Sequence, residues 1–150
     1  VMSLNYTDND SPTLYFWQLF SILGEDNITT LIENFYTRVF DDPDAHFANA
    51  FKELGNLDHH IRGQTRFWLD CMGGGKHYPG GEKLLRVHHN LAKDIMNFKG
   101  ALRWILHMRD ALEDCSPMFE QDDRIKPCII DFINFFMKKY GEQYNFNARL

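Results

Sequence analysis

The fold is decided by the stretch at residues 28–40, which reads ITTLIENFYTRVF. Its apolar residues recur three or four positions apart, as on one face of an α-helix. Asn27 stands before it as a favourable N-cap. Asp41-Asp42-Pro43 follows it, and proline does not continue a helix. We therefore predict a helix between these signals with one face in the core. That face consists of Ile28, Leu31, Ile32, Phe35, Val39 and Phe40, with Tyr36 beside it.

The same helical spacing recurs over most of the chain, so we predict an all-α fold. A first helix is expected from about Thr13 to Leu23, because Gly24 is a typical helix stop. The segment that carries Phe47 and Phe51 is predicted to be irregular.

Further helices are predicted from their capping residues. Asp58, Asn97 and Asp122 are the expected N-caps of three of them. The first of the three ends at the triple glycine of residues 73–75, because glycine has a low helix propensity. The segment from Glu82 to about Leu91 can form little more than two turns, and a helix this short needs a partner for stability.

The composition fits one domain and excludes several classes of function. The length of 150 residues is typical of a single domain, expected here over residues 1–150 with residues 1–12 as a flexible extension. With 16 basic against 21 acidic residues and a net charge of −5, the chain lacks a nucleic-acid-binding charge. No apolar run approaches the roughly 20 residues that span a bilayer, so no membrane insertion is expected. The first residues do not resemble a secretory signal, which predicts a cytoplasmic protein.

Common catalytic and metal-binding motifs are absent from the sequence. It contains no glycine-rich phosphate loop after a predicted strand and no nucleophile-elbow pentapeptide. Structural zinc sites need four closely spaced Cys or His, and helical di-iron sites need paired Glu-x-x-His motifs. Iron in a macrocycle is different, because a single imidazole from the protein can hold it.

Two histidine pairs, His59-His60 and His88-His89, supply candidate ligands on different predicted helices. Adjacent helical residues point about 100° apart, so only one member of each pair can face inward. The apolar neighbours place His60 and His88 on the inner faces. Two imidazoles can therefore face one cavity.

Tyr36, His60 and Gln64 are polar side chains among large apolar residues. Burying such a group without a partner costs about 1 to 3 kcal/mol, so we expect all three to face a ligand. The phenylalanines at positions 35, 47, 51, 67, 98 and 132 would suit the walls of a wide, flat pocket.

Four blocks of sequence, in this order and spacing, together resemble the truncated haemoglobins, the short-chain branch of the globin superfamily. The resemblance extends from about Leu14 to Tyr140. The blocks are FSILG at 20–24, NFYTRVFDDP at 34–43, the run from His60 to Met72 with the following Gly73-Gly74, and RWILHMRDAL at 103–112. The resemblance implies a two-over-two helical sandwich around a non-covalently bound haem b.

The resemblance also implies roles for individual residues. Tyr36, His60 and Gln64 correspond to the distal, catalytic positions, where a gas binds. The local pattern favours His88 as the proximal iron ligand, with His89 as the alternative. The other cofactor-binding residues implied are Phe35, Phe51, Phe67, Trp68, Leu84, Arg86, Phe98 and Trp104.

The function implied is binding of O2, NO or CO, with slow release because the distal groups form hydrogen bonds to the ligand. Slow release suits a sensor, a scavenger or a nitric oxide dioxygenase, and the last would need an unidentified reductase. The alternatives are a haem peroxidase-like enzyme and a haem-free helical interaction module. His60 has a second candidate role, which is to bind the iron directly when no gas is present.

Overall fold

The computed structural model describes residues 13–75 and 93–150. Over these residues it contains α-helices and short 3-10 turns and no strand, which confirms the predicted all-α fold. The five α-helices are α1 (Leu19–Phe40), α2 (Ala45–Lys52), α3 (Leu57–Cys71), α4 (Phe98–Asp114) and α5 (Ile125–Tyr144). The predicted extension at 1–12 and the predicted short helix from Glu82 to Leu91 lie outside the described residues.

Helix α1 is the centre of the core. It lies against α2, α3 and α4, and its residues Ile28, Leu31 and Phe35 are almost completely buried. Helix α5 reaches α3 through aromatic side chains: the ring centroids of Trp68 and Phe132 are 5.7 Å apart. Large aromatic side chains thus form a contact between α3 and α5.

Gly24 interrupts α1, as predicted. It has φ +78° and ψ 163°, a conformation that glycine adopts without the steric cost of a side chain. The helix resumes directly after it, so the prediction that Asn27 is an N-cap is wrong. The Asn27 side chain instead donates a hydrogen bond to the Leu23 carbonyl across the break.

The starts of two other helices, α2 and α3, also differ from the prediction. The segment with Phe47 and Phe51 is helical, because the Asp44 carboxylate accepts hydrogen bonds from two amides of the first turn of α2. Asn56, not Asp58, caps α3: its side chain accepts from the His59 amide.

Of the N-caps predicted for the last two helices, one is confirmed and one is wrong. Asn97 caps α4 as predicted, accepting from the Gly100 amide. Asp122 lies before α5 and accepts from the Arg124 amide, so it orders the turn rather than capping the helix. In the part of the chain that the structure describes, no helix combines the length and the apolar character needed to cross a membrane.

Replacing Thr65 with valine is expected to raise the free energy of unfolding by about 1 kcal/mol. Thr65 is 7% exposed, and its hydroxyl has no hydrogen-bond partner within the described ranges. Valine keeps the branched shape and removes a polar atom that unfolding would return to water. Urea unfolding measures the change, with Thr37→Val on the exposed side of α1 as a control that should show little effect. A less stable Thr65→Val protein would contradict the prediction.

Candidate functional site

A cavity of about 440 Å³ lies between α3, α4 and α5 and reaches α1 and α2. Most of its lining is apolar and aromatic. Large apolar cavities with a few convergent polar groups are the usual form of a cofactor or small-molecule site. The described residues that line it include Tyr36, Phe47, Phe51, His60, Gln64, Phe67, Trp68, Trp104, Phe132, Phe136, Met137, Lys139, Tyr140 and Gln143.

Three polar side chains predicted to act together, Tyr36, His60 and Gln64, line this cavity. Tyr36 comes from α1, where it is 6% exposed at the edge of the buried face. His60 and Gln64 are one turn apart on α3 and therefore share a face of that helix. The rings of Tyr36 and His60 are stacked, with centroids 5.3 Å apart and planes 19° apart.

The His60 imidazole is held by the backbone of α2. Its Nε2 lies 2.7 Å from the Phe51 carbonyl oxygen. A carbonyl oxygen can only accept, so Nε2 carries the proton and donates. The ring edges of Phe40 and Phe51 also pack around the imidazole, with centroids 5.5 and 6.1 Å away. The orientation of His60 is therefore fixed by a hydrogen bond and by aromatic contacts.

The other predicted wall residues fall into two groups. Phe51, Phe67, Trp68 and Trp104 line the cavity. Phe35 is 1% exposed and stands behind the wall, with its ring 4.9 Å from that of Tyr36 and 4.7 Å from that of Trp104.

Phe98 does not lie at the cavity. It is 55% exposed and begins the outer face of α4, which continues at Leu102 and Leu106. The inner face of the same helix carries Ala101 and Ile105 instead. The apolar spacing of α4 alone did not distinguish these two faces at the helix start.

Sequence reasoning missed most of the wall that α5 contributes. Phe132, Phe136 and Tyr140 follow each other at intervals of four residues and line one side of the cavity. The Phe132 and Phe136 rings meet edge to face, 5.0 Å apart. Burial raises the pKa of the Tyr140 hydroxyl. The periodic stripe was visible in the sequence, but it could not be distinguished from ordinary core.

A charged cluster beside the cavity was also missed. It consists of Asp42, Asp44, Arg103 and His107, here called the Asp42 cluster. Arg103 donates to both carboxylate oxygens of Asp42, and His107 donates through Nε2 to Oδ2. The Asp42 side chain is 1% exposed. The His107 side chain is mostly buried where it contacts this carboxylate.

Hydrogen bonding controls the charge of Asp42. Burial raises the pKa of this carboxyl, but hydrogen bonds from Arg103, His107 and the Asp44 amide together outweigh burial and hold the pKa at about 2. The Asp42 carboxylate is therefore buried but keeps its charge. Through it, the Asp42 cluster joins the end of α1 to α4.

The remaining predicted site residues lie outside the described residues. These are His88 and His89, the two candidate iron ligands, together with Leu84 and Arg86. Their roles stay predictions.

Comparison with known proteins identifies the family. The family model described as bacterial-like globin matches residues 18–138. The chain is 35% identical over 111 residues to two-on-two hemoglobin-3 of Arabidopsis thaliana, an overlap that covers 72% of this chain and 61% of the relative. It is 32% identical over 124 residues to group 2 truncated hemoglobin 3-1 of Lotus japonicus, covering 79% of this chain and 66% of the relative.

The chain thus spans slightly less than two thirds of the length of each of these relatives. The match nevertheless runs from the start of α1 to near the end of α5 and includes Tyr36, His60, Gln64 and Trp104. The helical fold, the matched family and the two relatives agree: this chain belongs to the bacterial-like globin family, as a truncated haemoglobin.

Proposed function

We propose that this protein binds haem b non-covalently in the cavity and uses it to bind diatomic gases. The observation that carries the proposal is the arrangement of the walls. Aromatic rings from α2, α3, α4 and α5 line an apolar space, while Tyr36, His60 and Gln64 are its polar groups from α1 and α3. This arrangement of mostly aromatic walls with a few polar groups fits a flat, largely apolar macrocycle.

The described residues would hold the macrocycle by contact. Trp104 and Phe67 belong to α4 and α3, and Phe136 belongs to α5, so the rings approach from different helices. When bound, haem supplies an iron atom that coordinates a small gas. We propose His88, with His89 as the alternative, as the protein ligand of that iron.

Tyr36 and Gln64 would select and retain the gas. A phenol hydroxyl and a side-chain amide can each donate a hydrogen bond to a ligand atom that gains negative charge. Such bonds are stronger in a pocket from which water is excluded. These hydrogen bonds stabilise bound dioxygen more than bound carbon monoxide, because dioxygen withdraws more electron density from the iron. O2, NO and CO are the proposed ligands.

His60 is expected not to bind the iron in the gas-free ferrous protein. Its Nε2 donates to the Phe51 carbonyl, so binding a metal through this nitrogen would require that hydrogen bond to break and the proton to leave Nε2. The absorption spectrum of the reduced, gas-free protein is expected to be that of high-spin, five-coordinate iron. A low-spin spectrum in the wild type that becomes high-spin in His60→Leu would contradict this expectation.

The proposed tight retention of dioxygen would suit an enzymatic role. We propose that the protein can oxidise nitric oxide to nitrate, with a reductase supplying the electrons that restore ferrous iron. Mixing the oxygenated protein with nitric oxide and measuring nitrate tests this role. Turnover of hydrogen peroxide with an organic reductant at a higher rate than nitrate formation would favour the peroxidase-like alternative.

Haem uptake followed by gas binding tests the main proposal. The full chain is titrated with haemin, reduced, and exposed to carbon monoxide, while the Soret band is recorded. The expected result is one haem per chain and a sharp shift of the Soret band with carbon monoxide. Protein that stays colourless after the titration would contradict the proposal and favour the haem-free interaction module.

A further inference from the structure

The position of the His60 imidazole depends on helix α2. The Phe51 carbonyl that accepts from Nε2 lies in the last turn of this helix. The helix has only eight residues, so its place in the fold depends on what holds its ends.

The start of α2 is fixed by the Asp42 cluster. The Asp44 carboxylate accepts hydrogen bonds from the amides of His46 and Phe47. The Asp44 amide in turn donates to Asp42 Oδ1 over 2.7 Å. The first turn of α2 is thus connected by hydrogen bonds to a buried carboxylate.

Asp42 is itself fastened to α4. Arg103 donates to it through Nε over 3.1 and 3.2 Å and also through Nη2, and His107 donates through Nε2. The His107 ring lies against the ring of Phe47, with centroids 5.8 Å apart. Phe47 belongs to α2 and lines the cavity, so α4 holds α2 by polar and by aromatic contacts.

We propose that Asp42 is a positioning residue for the side of the cavity that carries Tyr36 and His60. By fixing α2 against α4, it holds the Phe51 carbonyl where His60 donates to it. His60 then stays stacked on Tyr36 with its proton on Nε2. The consequence for gas binding rests on the proposed function, whereas the orientation of His60 does not.

The test measures the His60 proton directly. In the full chain as purified, in the ferrous carbon monoxide form if it carries haem, imidazole ¹⁵N and ¹H resonances are assigned with His60→Gln. The exchange of the Nε2 proton with solvent is compared between the wild type and Asp42→Asn. We expect exchange at least about tenfold faster in Asp42→Asn, because the hydrogen bond to Phe51 is no longer held in place.

Asp114→Asn is the matched control. Asp114 also pairs with an arginine, Arg38, and lies at the far end of α4, away from α2. Removing its charge is expected to leave the exchange of the His60 proton unchanged. Should Asp42→Asn fail to fold, Arg103→Lys takes its place. Lysine keeps the positive charge but cannot form the bidentate contact that Arg103 makes with the Asp42 carboxylate. This variant is also expected to exchange the His60 proton faster than the wild type.

Two outcomes overturn the proposal. One is a folded Asp42→Asn protein in which the His60 Nε2 proton exchanges at the same rate as in the wild type. The other is equal acceleration in Asp42→Asn and Asp114→Asn, since this would indicate general loosening of α4. Neither outcome depends on haem uptake, so failure here is distinct from failure of the proposed function.

Discussion

Tyr36→Phe is expected to accelerate dissociation of dioxygen from the reduced, haem-loaded protein by about ten- to a hundredfold. The Tyr36 ring is 6% exposed and lines the cavity, so water is poorly placed to replace its hydroxyl. A hydrogen bond to a charged acceptor contributes about 1.5 to 3 kcal/mol, which corresponds to that range of rates. Phenylalanine keeps the ring that stacks on His60 and removes only the donor.

Stopped-flow displacement of dioxygen by carbon monoxide measures the rate. Tyr15→Phe is the control, because Tyr15 is 55% exposed and stacks on Trp17 outside the cavity. It should release dioxygen at the wild-type rate. Equal rates for Tyr36→Phe and the wild type would show that Tyr36 is not a donor to the ligand.

Asp42→Asn is expected to lower the free energy of unfolding at pH 7 by about 2 to 4 kcal/mol. The change removes the closer charged partner of the Arg103 guanidinium and leaves it the Asp44 carboxylate, whose Oδ2 lies 3.9 Å from Nε. The loss stays at or below the usual range for a broken buried pair, because the Arg103 side chain is 30% exposed and water can reach it.

The same carboxylate predicts how stability depends on acid. The pKa of Asp42 is about 2 in the folded protein and near 3.8 in the unfolded chain. A carboxyl whose pKa is lowered by folding stabilises the protein above its unfolded pKa and loses this contribution as the pH falls. Between about pH 5 and pH 2 the wild type should lose about 2 kcal/mol through this group.

Urea unfolding across this pH range separates Asp42 from the other carboxylates. The wild type and Asp42→Asn are expected to converge in stability as the pH falls toward 2. Asp114→Asn should stay close to the wild type at every pH, because Asp114 is about half exposed. A constant difference between the wild type and Asp42→Asn from pH 7 to pH 2 would contradict the assignment of the acid effect to Asp42.

The main helices and the polar groups of the cavity could be predicted because both follow from local spacing. His60 and Gln64 share a face simply by being four residues apart, and Tyr36 borders the apolar stripe of α1. Helix α2 could not be predicted in this way. It is short, and it forms because the Asp44 side chain caps its first turn and because α1 packs against it.

The Asp42 cluster was beyond local reasoning for a different reason. In the sequence, Asp41-Asp42-Pro43 indicates an exposed helix end, and nothing near it suggests burial. The partners of Asp42 are Arg103 and His107, 61 and 65 residues away, and they meet it only after α1 and α4 have packed. A charge buried by distant residues leaves no periodic pattern to detect.

The most direct test of the whole account is haem binding by the wild type, His88→Ala, His89→Ala and the double variant, with His59→Ala as an exposed-imidazole control. The absorption spectrum and the haem affinity of each protein are measured in the reduced state. We predict that the wild type and His59→Ala show an imidazole-ligated spectrum, that one of the two single variants loses it, and that the double variant lacks it. An unchanged spectrum and affinity in the double variant, or no haem uptake by the wild type, would contradict the account.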